Sequence, residues 1–233
     1  MTTYATSLST ISGYLLSQIR NRMNLNQREM ARLFDMTQGA YGNMERGDAN
    51  INAEFIFMLC SLVGIKASDF FGVLEEIMVE LNNMKTDKRG NDIKIEIVSS
   101  SELSSISMAY KVFKTLTDRE NASESELKLF KDDLLEKTKG KLLLTAEEIE
   151  NFLSDEIISR VSVLSKIRLS KEEIKEIVKI KSDEIEQSVK VSTDGVMAGG
   201  VVPSAALIGT AVAGPLGFLV GSLFNSYKKS KEK

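Results

Sequence analysis

The stretch Asn26–Gly47, NQREMARLFDMTQGAYGNMERG, predicts two short helices joined by a tight turn. Asn26 suits the N-cap of the first helix, because its short side chain can accept the free amides of the first turn. Apolar residues then recur at helical spacing on one side: Met30, Ala31, Leu33 and Phe34. The next three residues break this run, and Thr37 can cap a second helix over Gln38–Met44.

The second helix is expected to project from the surface of the domain. Ala31 is small at the place where the two helices must cross closely. Two short helices packed at a steep angle leave the outer face of the second one exposed. Such a face can enter the major groove of DNA.

These residues resemble the helix-turn-helix of the Cro/cI-like (Xre) phage repressor family over about Leu15–Phe71. The motif positions that carry the resemblance are Gln27, Met30-Ala31, Thr37-Gln38 and Glu45-Arg46-Gly47. The resemblance implies a mainly α fold that begins with a five-helix lambda-repressor-like DNA-binding domain. It also implies a structural ion pair between Glu45 and Arg20, the latter on a first helix over Ile11–Met23.

The resemblance further implies a DNA-binding surface around the two helices of this motif, which are the second and third of the five. Gln38 and Asn43 would face base edges, where amide side chains suit adenine. Gln27 and its helix N-terminus, together with Arg28, Arg32 and Arg46, would hold phosphates. The complete implied set is Gln27, Arg28, Arg32, Thr37, Gln38, Gly39, Asn43 and Arg46.

Three residues depart from the family pattern. Gly39 and Gly42 lie on the helix that begins at Gln38, where the family usually carries base-contacting side chains. Each glycine also weakens a helix by up to about 1 kcal/mol. Asp35 replaces the usual turn glycine. Residues 1–72 carry six Lys/Arg and six Asp/Glu, so one module releases few counterions on binding. We therefore expect a homodimer on double-stranded DNA; the alternative is a five-helix bundle used only for protein contacts.

Composition excludes several classes of protein. The chain has 233 residues, 27% charged and 6% aromatic, with no tryptophan and a net charge of −3. The few aromatic residues favour a fold built from packed helices. The net negative charge argues against a protein that coats nucleic acid over its whole surface. With no histidine, one cysteine (Cys60) and no phosphate loop, we expect neither an enzyme nor a cofactor or zinc site. Met1–Thr10 lacks the pattern of an export signal, which predicts a cytoplasmic N-terminus.

The predicted organisation has five parts. Residues 1–85 form the DNA-binding domain with a linker helix over Gly72–Lys85. Residues 86–122 form a linker with a short helix, Met108–Leu116, and a strictly alternating strand, Ile93–Ile97. Because one strand alone is unstable, this strand either pairs with its copy in a dimer or is misread. Residues 123–194 form a helical bundle or coiled coil, 195–227 a hydrophobic segment, and 228–233 a basic tail.

Capping-box spacing marks three helix starts in the region 123–194: Ser123 with Glu126, Thr145 with Glu148, and Ser170 with Glu173. Two apolar stripes follow the last two starts. They are Ile149, Leu153, Ile157, Val161 and Leu164, and then Ile174, Val178, Ile185 and Val189. Such stripes are typical of packing faces between helices.

Residues 195–227 form a stretch of 33 residues without a charge, longer than the roughly 20 needed to cross a bilayer. Small side chains recur at every fourth position: Ala205, Gly209, Ala213, Gly217 and Gly221. The stretch resembles the glycine-zipper segments of membrane-inserting proteins. Three arrangements stay open: a single crossing, a re-entrant hairpin broken near Gly209–Pro215 at the inner face of the cell membrane, and a buried oligomerising segment.

Taken together, the sequence favours a DNA-binding transcriptional regulator of bacterial or phage type. It would be a dimer, cytoplasmic, and tethered at the inner face of the membrane or inserted in it through residues 195–227, with lipid as a partner. The alternative is a membrane-acting defence or toxin-like effector, in which the helix-turn-helix senses a signal or represses its own gene. A soluble scaffold without a role on DNA is a third hypothesis.

Overall fold

The computed structural model describes residues 1–117, 124–164, 172–180 and 183. The chain divides into two compact units, Met1–Lys171 and Glu172–Lys233. In the second unit residues 172–180 are helical, and Ile174 and Val178 are buried.

Five consecutive helices lie near the N-terminal end of the first unit, as the sequence predicts: α1 (Leu8–Arg22), α2 (Gln27–Leu33), α3 (Gln38–Arg46), α4 (Ala53–Val63) and α5 (Ala67–Asn83). Polar N-caps start four of them. Asn26 forms a full capping box with Glu29, and Thr37 accepts a hydrogen bond from the amide of Ala40. Ser7 and Asn52 cap α1 and α4 in the same way. Each cap satisfies an amide that the helix itself cannot.

Helices α1 and α3 approach each other closely at Gly13 of α1. A Cβ there would lie 2.4 Å from the carbonyl oxygen of Glu45 in α3, closer than real Cβ atoms come. Gly47 ends α3 with a φ of +76°, and a Cβ on it would lie 2.5 Å from the Cα of Thr10. Ala31 is buried as predicted. The sequence did not single out Gly13, although this contact brings α1 against the end of α3.

A three-stranded parallel sheet with the order β2-β1-β3 also belongs to this unit. Its strands are β1 (Thr2–Ser7), β2 (Ile93–Val98) and β3 (Leu142–Leu143). The predicted strand is therefore present, but the expectation that it pairs with a second copy or is misread is wrong. It pairs with β1 from Thr2↔Ile93 to Ser7↔Val98. Parallel strands need a long crossover, and here the five helices supply it.

Within the described part of the first unit, three α-helices follow β2: α6 (Ser100–Thr117), α7 (Glu124–Thr138) and α8 (Asp155–Leu164). A single helix starting at Thr145 was expected, and that expectation is wrong. The amide of Thr145 does donate to the Glu148 carboxylate at 3.1 Å, but only a short 3-10 helix follows, Ile149–Phe152. Leu153 is extended with a ψ of 148°, and α8 begins two residues later.

Helix α8 packs against α5 and α1. Arg160 of α8 forms an ion pair with Glu76 of α5 at 2.6 Å, and Arg22 of α1 donates to the hydroxyl of Ser162 at 2.9 Å. Strands from both sides of residue 85 share one sheet. The domain boundaries inferred from sequence stay predictions.

Several expectations concern residues outside those described: Ser123, Ser170, Ile185, Val189, the small-residue ladder Ala205, Gly209, Ala213, Gly217 and Gly221, and the tail 228–233. Among the described residues no single helix has the length and apolarity to span a membrane. The pair α4 and α5 meets that test only jointly, with a bend of 115° between the two helices.

Candidate nucleic-acid interface

The turn between α2 and α3 is held by a left-handed residue. Asp35 has a φ of 51°, a region that Asp enters more readily than most residues. The amide of Met36 donates to the carbonyl of Ala31 at 3.0 Å and closes the turn. Asp35 can therefore occupy the place of a turn glycine without changing the path of the chain.

The inner face of α3 is fixed by the predicted ion pair. Arg20 Nε donates to Glu45 Oε1 at 2.6 Å, and Arg20 Nη2 to Glu45 Oε2 at 3.2 Å. Gln27 Nε2 donates to the same Oε2 at 2.8 Å. Glu45 is 5% exposed, so this carboxylate joins α1, α2 and α3 away from solvent. Bidentate bonds to a charged group set geometry strictly, so they determine how α3 lies on the domain.

Tyr41 fills the space behind this ion pair and is fully buried. Burial, and secondly the Glu45 carboxylate, raise the pKa of its phenol. The phenol therefore stays neutral. Its ring lies 6.5 Å from that of Phe55 in α4, so the same residue packs α3 against the next helix.

The outer face of α3 carries the implied base-contacting residues. Gln38, Gly39 and Asn43 are all exposed, as is the cap residue Thr37. A Cβ at Gly39 would meet nothing within 4 Å. The amide side chains of Gln38 and Asn43 and the uncovered backbone at Gly39 are therefore all exposed to solvent along α3.

The implied phosphate-contacting residues are placed in different ways. Arg28 is exposed, and Arg32 is half-buried on the same helix. The side-chain amide of Gln27 turns inward to Glu45 in this conformation. Its phosphate role therefore depends on the α2 backbone or on a rearranged side chain, and it stays a prediction.

Asn43 and Arg46 take part in a network that the sequence did not reveal. We call Asn43, Arg46, Asp48 and Lys111 the Arg46 network. Arg46 Nη2 donates to Asn43 Oδ1, and Arg46 Nε donates to Asp48 Oδ2 at 3.0 Å. Lys111 Nζ of α6 lies 3.8 Å from Asp48 Oδ1. Asp48 lies near the motif in sequence, whereas no local pattern could place Lys111 beside it.

Three members of the Arg46 network, Arg46, Asp48 and Lys111, line a cleft of about 930 Å³ between α1, α3 and α6. Its walls combine apolar surface with hydroxyl and amide groups, including those of Ser104, Ser107 and Asn50. The charged side chains in its lining balance, because Arg20, Arg46 and Lys111 oppose Glu45, Asp48 and Glu147.

Comparison with protein families gives one match. Residues 16–70 match the family described as helix-turn-helix, of the Cro/cI type. This range covers α2, α3 and α4 completely and begins inside α1. Neither the curated proteins nor the solved structures include a match.

Proposed function

We propose that this chain, whose residues 16–70 are a Cro/cI-type helix-turn-helix domain, is a sequence-specific transcriptional regulator. The observation that carries the proposal is the pair of opposite faces on α3. Glu45 anchors the inner face to Arg20, while Gln38 and Asn43 stand exposed on the outer face. This is the arrangement that a helix needs to enter a major groove with its side chains directed at base edges.

In this proposal the residues of this surface have distinct tasks on DNA. Gln38 and Asn43 contact base edges, and Gly39 lets the helix backbone approach the groove wall closely. Arg28 and Arg32 contact phosphates beside the groove, where a basic side chain adds affinity but little sequence information. Thr37 maintains the first turn of α3 through its bond to Ala40.

A substitution of the two amide residues tests this function. Gln38→Ala with Asn43→Ala should remove discrimination of about 1–3 kcal/mol for each good base contact. The measurement is binding of the full chain to duplexes selected from a randomised DNA library, in parallel with non-specific duplex. Asn82→Ala, an exposed amide on α5, is the matched control and should leave both affinities unchanged. Failure of the wild-type chain to enrich any sequence would contradict the function.

We further propose that two copies act together on an operator. Residues 1–72 carry balanced charge, so a single domain gains little from counterion release. A second domain in the same dimer meets its half-site at high effective concentration. Exposed apolar side chains on α4 and α5 suit such a contact, since Phe57 and Phe71 are 57% and 39% exposed with ring centroids 6.5 Å apart. Sedimentation equilibrium should show a dimer for the wild-type chain and a weaker dimer for Phe57→Ser. A wild-type chain that is monomeric at a concentration that saturates the operator would contradict the dimer.

We also propose that residues 195–227 tether the regulator to the inner face of the membrane, in the cytoplasm where DNA is accessible. The support is the uncharged, small-residue sequence of that segment alone. Fractionation of cells should place the full chain in the membrane pool and a chain that ends at residue 194 in the soluble pool. Gly209→Lys should also weaken membrane recovery, because a charge in an apolar bilayer is costly. Full-length protein confined to the soluble pool contradicts the tether.

A further inference from the structure

We infer that Arg46 is a positioning residue: it holds the amide of Asn43 so that Nδ2 points outward, and thereby sets which bases α3 accepts. The inference rests on the proposed function, and it assigns Arg46 a different task from the phosphate contact that the family resemblance implies. Asp48 and Lys111 enter as the residues that hold Arg46.

The orientation of the Asn43 amide follows from the chemistry of its partner. Arg46 lies three residues after Asn43, so both side chains stand on the same face of α3. A guanidinium group can only donate hydrogen bonds, so the atom of Asn43 that it contacts must be the carbonyl oxygen. Arg46 Nη2 donates a hydrogen bond to Oδ1 in this way. The Nδ2 group is then left for an external partner.

The position of the Arg46 side chain is itself determined by its neighbours. A Cβ at residue 42 would lie 3.2 Å from Arg46 Nη1 and 3.3 Å from Gln27 Oε1. Glycine at this position therefore leaves room for the guanidinium to fold back along the helix. On its other side, Arg46 Nε donates to Asp48 at 3.0 Å, and Asp48 in turn lies 3.8 Å from Lys111.

This orientation changes the expected base preference. A free asparagine can contact adenine twice, because N7 accepts from Nδ2 and the N6 amino group donates to Oδ1. Oδ1 has two lone pairs; Arg46 takes one of them and thereby weakens, without excluding, the bond from adenine N6, while a donor contact to purine N7 stays available. Both adenine and guanine offer N7. Asn43 should therefore accept either purine at its base pair rather than adenine alone.

The test is selection from a randomised duplex library with three full-length proteins: wild type, Asn43→Ala and Arg46→Met. The operator position that loses its preference in Asn43→Ala identifies the base pair read by Asn43. At that position wild type should bind adenine and guanine within about twofold, whereas Arg46→Met should favour adenine by about fivefold or more. Thermal unfolding of each variant verifies that the domain remains folded.

Arg28→Met is the matched control, since Arg28 is an exposed arginine on α2. As a phosphate contact it should lower the salt slope of binding by about one and leave base preference unchanged. Asp48→Ala should shift the adenine preference in the same direction as Arg46→Met, by a smaller factor.

Two results would overturn the inference while the proposed function survives. In the first, Arg46→Met behaves like Arg28→Met, with a reduced salt slope and an unchanged base preference. In the second, Asn43→Ala alters no operator position, and reading depends on Gln38 alone. Absence of any enriched sequence with the wild-type protein would instead refute the proposed function itself.

Discussion

Glu45 and Arg46 are neighbours in sequence, yet Glu45 lies on the buried inner face of α3 and Arg46 on its exposed face. Each forms an ion pair, one inside the domain and the other in solvent. Glu45 is 5% exposed and bonds to Arg20 at 2.6 Å, whereas Arg46 is 52% exposed and bonds to Asp48 at 3.0 Å. Removing one partner of a buried ion pair costs several kcal/mol of stability, whereas removing one partner of a solvated pair costs about 1 kcal/mol or less. The inner pair therefore determines where α3 lies, and the outer pair can adjust what α3 presents.

The largest expected effect comes from the inner pair. Glu45→Gln removes the charge that opposes Arg20 and should destabilise the first unit by about 3 kcal/mol, since a buried charge would lose its partner. Urea unfolding followed by circular dichroism measures the change. An effect below about 1 kcal/mol is typical of surface ion pairs and would show that the Glu45–Arg20 pair contributes no more to stability than the Arg46–Asp48 pair.

The second effect concerns the glycine beside that pair. Gly13→Ala brings a Cβ to 2.4 Å from the Glu45 carbonyl oxygen, which is backbone and cannot rotate away. Helix α1 must then move off α3, and overpacking of this kind costs about 1–3 kcal/mol. The same unfolding measurement applies. A stabilised Gly13→Ala protein would show that α1 and α3 do not cross as closely as described.

The third effect separates stability from DNA binding on the outer face. Gly39→Ala should stabilise α3 by up to about 1 kcal/mol, because alanine favours a helix and nothing lies within 4 Å of the new methyl group. We expect DNA affinity to fall nevertheless, since the methyl group would meet the groove wall. Gly72→Ala in α5 is the control: its surroundings are equally open, and it should stabilise without affecting DNA. Equal DNA affinity in both variants would contradict docking through α3.

The smallest expected effect on stability comes from the outer pair. Asp48→Asn makes the same change of carboxylate to amide as Glu45→Gln, but at a side chain that is 36% exposed. Its free energy of unfolding should change by less than about 0.5 kcal/mol. A loss comparable to that of Glu45→Gln would mean that the outer pair is also structural.

Much of the helix-turn-helix could be predicted from sequence because its determinants are local. The Asn26 and Thr37 caps act within three residues, and the bounds of α4 follow from one apolar run between Asn52 and Gly64. Residues Arg20 and Glu45 were identified through the family resemblance, and the structure places them in contact.

Other features could not be predicted because their partners are distant in sequence. Strand β1 reads TTYATS and buries only Ala5, Thr6 and Ser7, which is too weakly apolar a pattern to indicate a strand by itself. Its partner β2 lies beyond five helices. The break at Leu153 was missed because the apolar spacing continues through it, although the chain there becomes extended and Ser154 starts a new helix.

The helices of the helix-turn-helix and the motif that resembles the Cro/cI type could be predicted from sequence alone, because caps, turns and apolar spacing act over a few residues. The pairing of Ile93–Val98 with the N-terminal strand and the position of Lys111 beside Asp48 emerge only in the folded chain. The same is true of the bond from Arg46 to the Asn43 oxygen. These contacts depend on where separate elements meet after packing, and the spacing of residues along the chain does not encode that geometry.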